Sequence, residues 1–199
     1  MNHCPLSSVA IIDCGSSKTP NIREMVTDHN ESPVTISWKQ ANDYDFGNCK
    51  AMIISGGPHL FTDSEAKQQE LMRHFLFLKH LQTPTLGICL GHQAIALTFG
   101  GEVYRGPERR KQDEITTALE HPLFSNLPDD ALFAEDHCEG ISPSGVMTVL
   151  ASSEHYAVEA LEISDRPFLG VQFHPEVSGN NGSILIGNFL NWANQNTSQ

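Results

Sequence analysis

Basic residues are scarce in this sequence: 12 Lys and Arg stand against 24 Asp and Glu, a formal charge of -12. A surface of that sign repels phosphate backbones and anionic lipid, so neither nucleic acid nor a membrane surface is an expected partner. Long apolar runs are missing as well, and none approaches the ~20 residues that span a bilayer. The opening Met1-Asn2-His3-Cys4-Pro5-Leu6 has no basic start and no apolar stretch. That argues against a secretion signal and makes a cytoplasmic location the expectation. Cysteine is sparse and odd in number. Cys4, Cys14, Cys49, Cys89 and Cys138 lie far apart with no Cys-x-x-Cys among them. The spacing argues against a disulfide framework and more strongly against a structural zinc site, so each is expected to be a lone thiol.

What is present fits a globular chain. It has 199 residues, 39% hydrophobic and 18% charged, enough to bury roughly 70% of its unfolded surface as one domain over residues 1–199. Apolar runs at Val9–Asp13, Val34–Trp38, Ala51–Ser55 and Pro84–Ile88 read as strands. Between them the period changes: over Glu65–Leu81, Leu71, Phe75 and Leu78 recur at helical spacing, and Gly91–Phe99 reads as a short helix closed by Gly100-Gly101. Alternating strands and helices predict an open, doubly wound α/β fold, with a mostly parallel central sheet and helices on both faces. The second half has short β-prone stretches at Glu102–Arg105, Ala131–Ala134, Met147–Ser152, Val158–Ile163 and Phe168–Phe173. These predict antiparallel strands added to the sheet edge, ahead of a closing helix that starts near Ser183.

Three segments carry chemistry. Gly87-Ile88-Cys89-Leu90-Gly91-His92-Gln93 follows a strand and opens a helix, with the small-x-nucleophile-x-small spacing of a nucleophile elbow. So sharp a turn pushes the Cys89 side chain out of the sheet. The helix N-terminus there favours a thiolate and offers N–H groups to an oxyanion. The bland alternative is an inert buried cysteine at a strand end. A cysteine nucleophile needs a base. Gly170-Val171-Gln172-Phe173-His174-Pro175-Glu176 supplies a His, a kink and a carboxylate at the end of another apolar stretch. Strand ends converge on one edge of a parallel sheet, so His174 can meet Cys89 there, with Glu176 turning back to fix the imidazole. The third segment, Ser55-Gly56-Gly57-Pro58, lets backbone approach a ligand closely, although a plain turn explains it equally well. A metal site built on His174 and Glu176 is poorly supported, because no second His sits at ligand spacing.

Together, Ile53-Ile54-Ser55-Gly56-Gly57-Pro58, the Cys89 motif and the His174–Glu176 motif resemble, in that order, the class I (triad) glutamine amidotransferases. The resemblance implies a glutaminase reaction through a γ-glutamyl thioester on Cys89, with His174 and Glu176 completing the triad. It also implies an oxyanion hole from the amides of Gly57 and Leu90, with Gln93 and the backbone around Cys138 and Glu139 holding L-glutamine. No metal or cofactor is implied in this chain. Such domains feed ammonia to a synthase, and no Ser-Gly-Gly-x-Asp-Ser pyrophosphate signature is present. The acceptor is therefore expected on another chain, an ATP-pyrophosphatase subunit that carries the ATP and Mg. Asp136-His137-Cys138-Glu139, Leu150–Glu154 and Val158-Glu159-Ala160, with Val177 after Glu176, are similar to the separate glutaminase subunit of GMP synthase.

There are departures from that subfamily. Asp13-Cys14-Gly15-Ser16-Ser17-Lys18 replaces its first glycine-rich loop, Glu108-Arg109-Arg110-Lys111 replaces a Glu-Tyr-Gly-like segment, and Glu139 stands for an Asp. Two other readings therefore stay open: a stand-alone γ-glutamyl hydrolase, and the glutaminase subunit of another synthase such as anthranilate synthase.

Overall fold

A computed structural model describes residues 2–196. Val9–Asp13 (β1) leads into a helix over Thr19–Asp28 (α1), followed by Pro33–Ser37 (β2), Ala51–Ile54 (β3), Glu65–Met72 (α2), Thr85–Ile88 (β4) and Leu90–Thr98 (α3). The second half is strand-rich: Glu102–Arg109 (β5), Gln112–Glu114 (β6), Thr116–Thr117 (β7), Leu132–Ala134 (β8), His137–Ser142 (β9), Met147–Ser152 (β10), Ala160–Ile163 (β11) and Phe168–Val171 (β12). Gly179–Asn196 (α4) closes the chain.

Eight strands form the main sheet in the order β2-β1-β3-β4-β12-β11-β10-β7. The first five are parallel, and β11, β10 and β7 are added antiparallel. The alternation of side chains along each strand divides the core into two layers. Val9, Ile11, Ala51, Ile53, Leu86 and Ile88 face α1 and α4, where Ile22, Val26, Ile186 and Phe189 cover them. Ala10, Ile12, Met52 and Ile54 face the other way, towards Phe75, Leu78, Leu90 and Ile95. Both faces of the central parallel strands β1, β3, β4 and β12 are thus dry, which is why they read as unbroken apolar runs rather than alternating ones. Among the described residues no helix is long and apolar enough to cross a membrane.

Four expectations are corrected. The helix over Glu65–Leu81 is not continuous: α2 ends at Met72, and a 3-10 segment covers Arg73–Lys79. Asn42 causes the break, because its side chain donates to Arg73 O (2.7 Å) and accepts from Phe77 N (3.0 Å) in place of intrahelical partners. Second, β5 does not join the sheet edge. It pairs with β9 as a separate antiparallel ribbon, and β8 pairs with β6 in another. Third, the closing helix starts at Gly179 rather than near Ser183. Its Gly182 is packed so closely on the preceding turn that a Cβ there would meet Pro175 O. Fourth, Cys4 and Cys49 are not lone thiols. They are disulfide-bonded with Cα atoms 5.9 Å apart, while Cys14, Cys89 and Cys138 are free. Sequence spacing did not reveal the pair because Cys4 reaches Cys49 through the contact of residues 2–3 with 44–45.

Candidate active site

The carboxyl ends of β3, β4 and β12 lie side by side, because Ile54 pairs with Gly87 and Val171 with Ile88. The three sequence segments therefore leave the sheet at one place, the edge where open α/β sheets bind ligands. Cys89 stands between β4 and α3 with φ 49° and ψ -103°, a backbone conformation that costs a non-glycine residue about 1–3 kcal/mol. Its neighbours hold it there. Cys89 N donates to Val171 O (2.8 Å), and Gln93 N donates to Cys89 O (3.0 Å). Glycine is required on both sides: a Cβ at Gly87 would stand 2.6 Å from the Gly91 carbonyl, and one at Gly91 would stand 2.6 Å from Ile54 O. Leu90 opens α3, where the first N–H groups have no intrahelical acceptor and the positive end of the helix dipole lies.

His174 follows β12 and lies within hydrogen-bonding reach of Cys89. Its Nδ1 and Glu176 Oε1 are 2.7 Å apart, and both side chains are buried. The ring is fixed from behind. His174 N donates to Ala134 O (2.8 Å), Ser178 Oγ donates to His174 O (2.7 Å), and Ser178 Oγ in turn accepts from Ala134 N (2.9 Å). Burial works against the charged ring, but the hydrogen bonds and negative charges of Cys89 and Glu176 outweigh it and carry the His174 pKa up to about 10. The arrangement suits a thiolate–imidazolium pair whose imidazole is oriented by a carboxylate.

The other sequence-derived residues are distributed less uniformly. Gly56 adjoins the pair: a Cβ there would lie 3.5 Å from Cys89 Cβ and 3.0 Å from His174 Cε1. Gly57 is half-buried against Cys14, whose carbonyl oxygen would be 2.7 Å from a Cβ there. With Cys138, Arg105, Arg110 and Asp136 it lines a cleft of about 280 Å³. Gln93 is buried and donates from Nε2 to Gln172 Oε1 (3.2 Å). Glu139 is buried too, and its Oε1 accepts from Thr62 N (2.7 Å), tying the loop before α2 to β9. Cys138 is half-buried, and burial raises its thiol pKa. The unusual first loop reaches the same rim through the Lys18–Asp136 ion pair (2.6 Å). In the basic segment, Arg109 makes two hydrogen bonds to Asp113 and Arg110 one to Glu108.

Residues 10–192 match the family model for the class-I glutamine amidotransferases. The chain belongs to that family. Among curated relatives of this amidotransferase, a glutamine-hydrolysing GMP synthase subunit of Pyrococcus furiosus is 36% identical over 143 residues, covering 70% of this chain and 73% of the relative. The GMP synthase of Francisella tularensis subsp. tularensis is 30% identical over 190 residues, and there the match covers 92% of this chain but 35% of the relative. Solved structures share the fold. A candidate GMP synthase subunit from Thermoplasma acidophilum superposes with a TM-score of 0.81 at 22% identity, covering 97% of this chain and 96% of that one. A glutamine amidotransferase from Thermotoga maritima gives 0.75 at 17% identity, covering 99% and 100%.

Several residues around the amidotransferase site were not singled out from the sequence. Ala134 acts through its backbone, Ser178 through a hydroxyl bridging two backbone groups and Gln172 through one hydrogen bond, so nothing in their type marks them. His92, one turn after Cys89, is fully buried, and burial, with His137 nearby, holds its pKa down to about 3. Beyond it lie Glu135 and His137, two residues apart, and Glu159 from another segment, all three buried. Burial, with the charge of Glu135 adding, pushes the Glu159 carboxyl up to about 8 against a hydrogen bond from Ser153.

Proposed function

We propose that this amidotransferase hydrolyses L-glutamine to glutamate and ammonia through a Cys89–His174–Glu176 triad, and passes the ammonia to a synthase on another chain. The observation that carries the reading is the strained Cys89 elbow beside a His174 whose Nδ1 lies 2.7 Å from Glu176. Cys89 Sγ attacks the γ-carbonyl carbon. The developing oxyanion is met by the Leu90 amide and by backbone of the Gly56-Gly57 turn. His174 gives its proton to the departing nitrogen, the C–N bond breaks, and ammonia leaves a γ-glutamyl thioester. Water then attacks the thioester, His174 takes a proton from it, and Sγ departs. The proton that leaves with ammonia is restored to His174 from water, the departing Sγ regenerates the nucleophile, and no cofactor in this chain enters the steps.

Similarity to the Pyrococcus GMP synthase subunit supports, as the acceptor, the ATP-pyrophosphatase subunit of a GMP synthase, with ATP and Mg bound there. The test is ammonia release from glutamine by the purified chain, with and without that subunit plus ATP and xanthosine monophosphate. Strong stimulation with GMP formed is the expected result. A stand-alone γ-glutamyl hydrolase is the second reading, favoured by one observation: the cleft rim is charged, with Arg105, Glu108, Arg110 and Asp136, where an apolar docking surface suits a synthase. Turnover that ignores the partner would decide for it.

A further inference from the structure

Glu135, between β8 and β9, His137, the first residue of β9, and Glu159, just before β11, converge behind the active site. Each offers one ligand atom, and these atoms lie within 4.8 Å of one another, all buried. His137 Nδ1 is 2.8 Å from Glu139 O. A carbonyl oxygen can only accept, so Nδ1 carries the proton, and in the neutral ring Nε2 is a bare lone pair. That lone pair stands 2.9 Å from Glu135 Oε2. Neither atom makes a geometrically sound hydrogen bond, and Glu135 Oε1 and Glu159 Oε2 are also buried without hydrogen-bond partners. Three such groups so placed, out of water, need a proton or a cation among them, and a site where their ligand atoms converge suits a cation. Arg109 does not provide it by contact: its guanidinium is held by Asp113 at 2.7 and 2.5 Å.

We propose that Glu135, His137 and Glu159 bind a divalent transition metal of the zinc class, in a structural site that fastens β9 and β11 together behind the catalytic residues. One imidazole nitrogen and two carboxylate oxygens form a three-ligand set for zinc, leaving a fourth position for water. Two carboxylates and a neutral imidazole balance a doubly charged ion. The outer contacts are those metal ligands require: His137 donates its other ring N–H to the Glu139 carbonyl, and Ser153 Oγ donates to Glu159 Oε1 at 2.7 Å. The Tyr156 ring packs on the imidazole with centroids 4.6 Å apart, fixing its plane. Glu135 and His137 stand two residues apart, but the third ligand, Glu159, comes from a distant part of the chain, so sequence spacing alone does not complete the set.

The metal is separate from the glutaminase chemistry, so its test does not depend on that reading. Protein from zinc-supplemented culture is dialysed and its zinc measured by mass spectrometry. About one zinc per chain is expected, with X-ray absorption at the zinc edge showing nitrogen and oxygen neighbours only. Glu159→Gln and His137→Gln should lose the zinc. Adding Zn²⁺, but not Mg²⁺, to the chelator-treated wild type should raise its melting temperature by several degrees. Zinc far below stoichiometry together with an unmoved melting temperature overturns the proposal, and protons shared within the cluster then hold it. A sulfur neighbour at the zinc edge overturns it equally, since the metal then sits on a cysteine elsewhere. Because both measurements use the wild type, they decide the matter even where the variants fail to fold.

Discussion

Glu176→Gln is the most informative single change. It keeps the shape of a buried side chain and removes only the charge that faces His174 Nδ1 at 2.7 Å. A charge-assisted bond of this kind contributes about 1.5–3 kcal/mol, which corresponds to about one to two pH units in the titration of His174. The wild-type imidazolium titrates at about 10, so the variant should titrate about one to two pH units lower. The stability consequence has a definite sign. A His pKa raised on folding adds stability that is fully present below its unfolded value, about 6.5, and is lost as pH rises through the folded value. The variant should therefore be less stable than wild type at pH 7 by about 1.5–3 kcal/mol. That gap should close as pH approaches 10, where wild-type His174 also becomes neutral. Activity should fall further than stability: a carboxamide can hold the wrong tautomer, and kcat is expected to drop by roughly 10²–10⁴. Denaturant unfolding at several pH values and ammonia release at the same values measure both. A kcat within a few-fold of wild type, or a stability gap that stays constant up to pH 10, would refute the reasoning.

Three further changes probe the frame. Cys89→Ala should abolish ammonia release and leave the melting temperature near or above wild type, because it removes the proposed nucleophile and little volume; residual wild-type turnover would unseat Cys89. Gly170→Ala should destabilise by about 1–3 kcal/mol, because its Cβ would sit 2.3 Å from His92 Nδ1, a collision with a fully buried ring; a thermal melt unchanged by this methyl would show the ring free to move. Reducing Cys4–Cys49 opens a loop of 45 residues, and loop closure entropy puts the loss at up to about 4 kcal/mol; denaturant midpoints with and without dithiothreitol measure it.

How much of this was legible in the sequence follows from where each requirement is written along the chain. Catalytic geometry at a strand end is a local demand: Cys89 needs Gly87 and Gly91 within two residues, since each glycine admits a carbonyl that a Cβ would strike. His174 and Glu176 are two residues apart because one turn joins them. Such demands leave a contiguous signature, and so did the parallel strands, dry on both faces. α1 passed unseen because only Ile22, Met25 and Val26 mark its apolar side among polar neighbours. The break after Met72 was hidden for a different reason, since Asn42, thirty residues upstream, supplies the competing hydrogen bonds.

The same logic separates two kinds of polar burial in this molecule. Around Cys89 and His174, buried polarity is explained by the proposed chemistry and was foreseeable from residue type. Around Glu135, His137 and Glu159 it is equally deep, yet no step of glutamine hydrolysis uses it. Two buried carboxyl groups and an imidazole cost the fold several kcal/mol unless a proton or a cation lies among them. Their position gives that cost a use. Ala134 O holds His174 N, and Glu135 is the next residue; His137 begins the strand whose Cys138 lines the cleft. A tie at this point fixes the backbone under both the imidazole and the substrate rim. Loosening it should therefore move kcat and KM together, whereas Glu176→Gln, which leaves the rim in place, should move kcat alone.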